Sequence, residues 1–223
     1  MDIDRFEGWI AGLGTAGGLR VVIGRWVRSP LGGFTDVMLE WADGRRVLLA
    51  PDPRVADFVA GTYRFDQVEV VPVTCADTGT DGAPPPTDGA ATVIDGAGRG
   101  GRWRLRAGPL AVDLRVGRRS PLGLLLRLVP TPLATARWWI SGTDVIARRV
   151  LPGVRTRGGA GGGRREFYAA LDVHGIDRAS VTWDGADQGA LAPVDPPVRF
   201  GFGSTPRTPS VARMVTLVES GRR

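Results

Sequence analysis

The densest run of reactive side chains lies at residues 158–175, GGAGGGRREFYAALDVHG. Glu166, Tyr168, Asp172 and His174 alternate there by two. On one β-strand they share a face, with Phe167, Ala169, Leu171 and Val173 on the other. Lining a cavity, the polar face offers Glu166 or His174 as an acid–base group and Tyr168 as a ligand contact. Arg164 and Arg165 then hold an anion through their planar forks. The competing account is a half-buried strand whose polar face is solvated. A single histidine, without a second histidine or cysteine, is a poor metal ligand set, and no metal site is expected.

Two further stretches carry chemistry. Residues 152–165, PGVRTRGGAGGGRR, set Arg155, Arg157, Arg164 and Arg165 around glycines, so backbone N–H groups and guanidinium forks could wrap a phosphate. The lysine and following helix of a P-loop are missing, and a solvated loop is the simpler account. Residues 121–152 mix large apolar side chains with Arg127, Arg137, Arg148 and Arg149, and carry Trp138-Trp139. Such a stretch can seat at a membrane interface, stack on bases, or form amphipathic helices that cap a barrel. Pro130, Pro132 and Gly142 interrupt it.

Composition excludes a good deal. All 29 basic residues are arginine, which rules out a Schiff-base lysine, a P-loop lysine and a kinase lysine. One cysteine, Cys75, allows no internal disulfide, and one histidine allows no Cys/His zinc site. No G-x-S-x-G elbow, RNP-type or helix-turn-helix signature occurs, and no cofactor is expected. No run of about 18 apolar residues is present. The stretch MDIDRFEGWIAGLG begins acidic and does not read as a secretory signal, so a cytoplasmic location is expected.

The net charge of +6 hides an asymmetry. Residues 1–98 hold 8 Arg against 14 acids, whereas residues 99–165 hold 15 Arg against only Asp113 and Asp144. So dense a basic segment calls for an anionic partner, either nucleic acid or an anionic membrane, or for internal pairing with the acidic first segment.

Elements must position these groups, and strand signals dominate. Residues 19–26, 35–41 and 46–49 read as strands, the last two joined by a turn at Ala42-Asp43-Gly44-Arg45. A short helix is predicted from Arg54 to Tyr63, with Val55, Phe58 and Val59 on one face. Further strands are predicted at 65–73, 103–106, 110–116, 166–173, 180–183, 198–202 and 211–218. A second helical stretch is predicted at 131–151, broken by Gly142, with Ser141 and Asp144 as a capping pair. Residues 76–101, rich in Gly, Pro and Asp, read as a mobile loop or linker.

The pentapeptide Arg-Ser-Pro-Leu-Gly occurs twice, at 28–32 and 119–123. It reads as one strand-turn element used twice, with Pro fixing φ and Gly releasing the chain. The first copy continues as Arg28-Ser29-Pro30-Leu31-Gly32-Gly33-Phe34-Thr35-Asp36, which resembles the R-S-P-L-G-P-Y-x-E segment of acetoacetate decarboxylase-like proteins. Gly33 replaces that family's Pro, Phe34 its Tyr and Asp36 its Glu. The resemblance spans residues 20–73 and implies a cone-shaped antiparallel barrel around an apolar cavity. It implies no decarboxylase chemistry, because the family's Schiff-base lysine has no counterpart here. Arg28 and Asp36, the charged ends of the segment, join the ligand-binding candidates.

The expectation is therefore a single mainly β domain over 1–223. It is an antiparallel barrel or strongly bent sheet, acetoacetate decarboxylase-like or lipocalin-like, with two short helical insertions. Three functions compete. The first is binding of a small apolar or amphipathic anionic ligand in the barrel cavity. The second is a lysine-free enzyme acting on a small carboxylate-containing substrate there through Glu166, His174, Arg118 and Arg119. The third is binding of nucleic acid or an anionic membrane through residues 99–165.

Overall fold

The computed structural model describes residues 3–78, 101–140, 142, 155–159, 161–201 and 203–219. In chain order the elements are β1 Ile3–Thr15, β2 Arg20–Arg28, β3 Phe34–Glu40, β4 Arg46–Ala50, α1 Pro53–Ala60, β5 Gln67–Val70 and β6 Val73–Thr78. They continue with β7 Arg102–Ala107, β8 Leu110–Arg119, α2 Pro121–Arg127, α3 Thr131–Ala134, β9 Arg157–Gly159 and β10 Arg165–Trp183. The last three are β11 Ala186–Asp187, β12 Leu191–Ala192 and β13 Ser210–Glu219. No described helix is long and apolar enough to cross a membrane.

The strands form one strongly curled sheet, a half-barrel of order β5-β4-β3-β2-β1-β13-β10-β8-β7-β6. Its pairs are antiparallel except β4–β5, which are parallel and joined through α1. The mainly β architecture with two helices of seven residues or more is the one the sequence predicts.

Period-two alternation explains the curl. On β7 the burial pattern strictly alternates: Trp103 and Leu105 point in, while Arg102, Arg104 and Arg106 point out. The inward residues of β1–β4, β7 and β8 pack into one dry core that includes Leu13, Ile23, Leu39, Leu49 and Leu114. Each such burial contributes about 2 kcal/mol. Arg25 on β2 reaches Asp77 on β6 at 3.3 Å and lies over the Trp103 ring, contacts that strands so far apart in the sheet can make only across the inside of the curl.

The outer face is divided. Over β1–β4 it is covered by α1, through Leu48, Val55 and Val59, and by the 194–200 segment, through Val194, Val198 and Phe200 packed on Val22. Over β7 and β8 no described element covers it, and Arg102, Arg104, Arg106 and Arg115 are exposed among the described residues.

Local chemistry sets the helix starts. Asp52 caps α1 by accepting from the Val55 N–H at 2.9 Å, and Pro53 supplies a preset φ. Ser120 caps α2 in the same way, accepting from the Gly123 N–H at 3.0 Å. That helix begins inside the second Arg-Ser-Pro-Leu-Gly copy. In the first copy Ser29 instead accepts from the Leu31 N–H at 3.0 Å and closes a turn. The two glycines differ accordingly. Gly32 has φ +86° with open space around it, whereas a Cβ at Gly123 would lie 2.4 Å from the Val173 carbonyl oxygen. The pentapeptide is thus one capping device in two structures, not one strand-turn unit used twice.

Other expectations are corrected. Nothing in the sequence reading assigned β1. Residues 65–73 are not one strand: β5 ends at Val70 and β6 starts at Val73, because Pro72 has no N–H for a ladder. The strands predicted at 166–173 and 180–183 are parts of β10, a single strand of 19 residues. Residues 198–201 are not a strand, although Val198 and Phe200 are buried. Of the 131–151 helix the structure describes α3 and a helical turn at 137–140, and the Ser141/Asp144 cap lies outside the described residues. Of the 76–101 loop, residues 76–78 belong to β6, and 79–100 lie outside the described residues.

Candidate functional site

Glu166, Tyr168, Asp172 and His174 do not share a face. The register of β10 against β13 pairs Ala170 with Met214 but Asp172 with Arg213, which leaves Leu171 as an extra residue. This bulge shifts the alternation by one. Glu166, Tyr168 and Val173 therefore face outward, while His174, opposite Val211, faces the inner core.

The inward-shifted group is a paired cluster. Arg119 grips both oxygens of Asp172 at 2.9 and 3.0 Å, and His174 Nε2 stands 3.5 Å from the same carboxylate. His174 Nδ1 lies 3.3 Å from the Gly117 carbonyl oxygen. Burial alone would raise the Asp172 pKa, but the Arg119 hydrogen bond, with the charges of His174 and Arg119, holds it below its ordinary value.

The outward group is different. It joins the chain's two tyrosines to Glu166. Tyr63, just after α1, donates to Glu166 Oε1 at 3.1 Å, and Tyr168 donates to Oε2 at 2.8 Å. The two phenol oxygens also touch each other. With the carboxyl ionised both phenols donate to it; with it protonated three protons serve the three contacts, Glu166 donating to Tyr63, Tyr63 to Tyr168 and Tyr168 to Glu166. Burial pushes the Glu166 pKa in that direction, to about 7, against the opposing pull of the phenol hydrogen bonds and of Arg164. Burial likewise pushes both phenols well above their usual value.

Asp36 stands nearby on β3, its Oδ1 accepting from Trp26 Nε1 at 3.1 Å. Burial raises its pKa to about 7, with the indole bond opposing. A Cβ at Gly24 would lie 2.5 Å from that Oδ1, so the glycine makes room for the carboxyl.

Two spaces adjoin this cluster. An outer cavity of about 160 Å³ lies between the sheet and the 198–206 segment, with Ile10, Val22, Met38 and Phe200 among its apolar walls. Among the described residues Arg155 is the one charged side chain of its lining, which also holds the Thr205 hydroxyl, buried without a hydrogen-bond partner. An inner chamber of about 40 Å³ is bounded by Asp36, Glu166, Trp26 and Thr216. Tyr63 and Tyr168 line both spaces and form the wall between them.

The remaining candidates scatter. Arg164 binds the Phe58 carbonyl and Thr62 Oγ1 at 3.2 and 2.9 Å, with its guanidinium over the Phe58 ring. Arg28 is exposed and reaches Glu7 at 3.7 Å, away from the cavity. Arg118 and Arg165 are exposed, and neither lines the cavity. Arg119 serves Asp172. The structure thus brings together Asp36, Glu166 and Tyr168, and it parts His174 from Glu166.

Sequence reasoning missed Tyr63, Trp26 and Thr216. Asp36 had a legible signal, because it alternates with Phe34 and Met38 on one apolar face. Tyr63 had none, lying 103 residues from Glu166. Among the described residues no group of three His, Cys, Asp or Glu could hold a metal. No family model matches the chain and no curated protein matches it, so the reading of the site rests on its geometry.

Proposed function

We propose that the protein binds a small, largely apolar or amphipathic molecule in the outer cavity. The observation that carries this reading is the cavity itself: apolar walls on a rigid sheet, closed at one side by the phenol–carboxyl ring. Its volume is close to the roughly 150 Å³ that holds one benzene-sized molecule in a protein interior. For an anionic end, the lining offers Arg155.

Native mass spectrometry on the freshly purified full chain tests the reading. A stoichiometric small-molecule passenger is expected, lost in Ala170→Phe, which fills the cavity from its sheet side. A passenger retained equally by that variant would place the site elsewhere and sink the proposal.

A second reading has its own observation. A neutral carboxylic acid beside an apolar cavity is suited to give a proton to a bound substrate at neutral pH. In that reading Glu166 is the acid and Tyr168 orients the substrate, with no part for His174. Glu166→Gln would then abolish turnover while leaving binding intact. The exposed arginines of β7 and β8, two of them shared with Asp113, favour the polyanion reading, whose mark is affinity for duplex DNA that collapses with salt.

A further inference from the structure

Five acidic residues are buried among the described residues: Asp36, Glu40, Glu166, Asp172 and Glu219. Three of them meet arginine. Glu40 has Arg20 and Arg199, Asp172 has Arg119, and Glu219 has Arg137. Asp36 and Glu166, each 2% exposed, have none, and both bound the same inner chamber. In a chain with 29 arginines this is a local choice. A buried carboxylate without a cation is costly, and an empty site answers by keeping its protons. A group that brings its own positive charge would replace them.

The rest of the chamber suits such a group. Phe6, Trp26, Phe34 and Phe58 contact one another around it and offer ring faces to a cation. The Thr216 hydroxyl lines it, 4% exposed and with no hydrogen-bond partner. A space of about 40 Å³ admits a group of water's size, which needs about 10–15 Å³.

We propose that the ligand is an amphipathic organic cation, a primary amine on an apolar body, whose body fills the outer cavity and whose ammonium group enters the inner chamber between Asp36 and Glu166. This rests on the outer cavity being a binding site. The ammonium N–H groups donate to the two carboxylates and to Thr216 Oγ1. The wall opens as part of the same event: once Glu166 gives up its proton, the contact between Tyr63 and Tyr168 loses the third proton that closes their ring. The other polar groups facing the carboxyls are Trp26 from β2 and Arg164 ahead of β10. Arg164 is tied to Phe58 and Thr62 and makes no ion pair with Glu166.

Titration calorimetry on the full chain with benzylamine, benzyl alcohol and sodium benzoate tests this. The three share a ring and differ in charge. Benzylamine is expected to bind at least tenfold more tightly than the other two at pH 8. Comparing buffers of different protonation enthalpy near pH 7, it should release close to one proton. Its affinity should rise about a hundredfold from pH 6 to pH 8, as two carboxyls titrating at about 7 lose their protons. Asp36→Asn should lose about tenfold for benzylamine and nothing for benzyl alcohol. If Asp36→Asn does not fold, Glu166→Gln carries the same test. Benzoate or benzyl alcohol binding as tightly as benzylamine would overturn the amine and leave the cavity reading standing. So would benzylamine binding without proton release. If none of the three binds, both readings fall.

Discussion

The two stretches of β10 on either side of Leu171 pose one problem and solve it in opposite ways. Each buries a carboxyl that alternation alone would set on the same face. Asp172 is given an arginine whose Nε–H reaches both its oxygens, and a histidine, and its pKa falls. Glu166 is given two phenols and no ion-paired cation, Arg164 acting only through its charge, and burial raises its pKa to about 7. The first arrangement is complete without anything further. The second is satisfied by a proton, which a ligand can displace. A group that already has its counter-ion reads as architecture, and one that borrows a proton reads as a site.

The largest disturbance removes the residue that separates the two. Deleting Leu171 leaves Asp172 opposite Arg213 and still inward, but it closes the bulge and removes a side chain packed on the cluster of Phe167 and Leu217. We expect a loss of about 4 kcal/mol or more, read as poor solubility or the absence of a cooperative thermal transition. A variant that unfolds within about 1 kcal/mol of the parent would show that the extra residue is dispensable to the strand.

Next in size is Arg119→Met, which leaves Asp172 without its counter-ion. A loss of about 2 kcal/mol in urea unfolding at pH 7 is expected, largely recovered by adding Asp172→Asn. A full loss in the double variant would mean that Arg119 acts through packing.

The pH dependence sharpens the comparison from the other side. Asp36 and Glu166 hold protons more tightly when folded, so stability is fully present below their ordinary values of 3.8 and 4.5 and falls as pH rises toward about 7. Asp36→Asn cannot lose its proton. Its thermal midpoint should exceed the parent's at pH 8, by about 1–2 kcal/mol in stability, and converge with it near pH 4. A parent curve flat from pH 4 to 8 would contradict this. The smallest effect is that of Thr216→Val, which removes a partnerless hydroxyl and should leave stability unchanged or raise it by up to about 1 kcal/mol. A clear destabilisation would reveal a partner for that hydroxyl.

The sheet was legible where side chains alternate, as in β7 and β8, because period two survives in sequence, and in β2, where β-branched residues cluster. β1 was not, since Gly8, Gly12 and Gly14 dilute its apolar pattern; a Cβ at Gly8 would lie 2.1 Å from the Arg25 carbonyl oxygen, a demand visible only once β2 lies beside it. The site was half legible. Glu166, Tyr168 and Asp36 show as polar residues among apolar ones. The bulge at Leu171 leaves no local mark, for it is defined by which residues of β13 stand opposite. Tyr63 joins the site only through a long-range packing contact.

The placement of β1 against β13 has one more consequence. Ile3 pairs with Glu219 at the middle of the sheet, and β13 also supplies the neighbour of β10. The half running from β5 to β1 and the half running from β10 to β6 are therefore two flaps hinged on one late-made strand. During synthesis the hydrogen-bonded sheet between β1 and β10 cannot close until β13 has emerged. Until then β1 and β10 each present a long unpaired edge, the moment at which this chain is most exposed to mispairing with its neighbours.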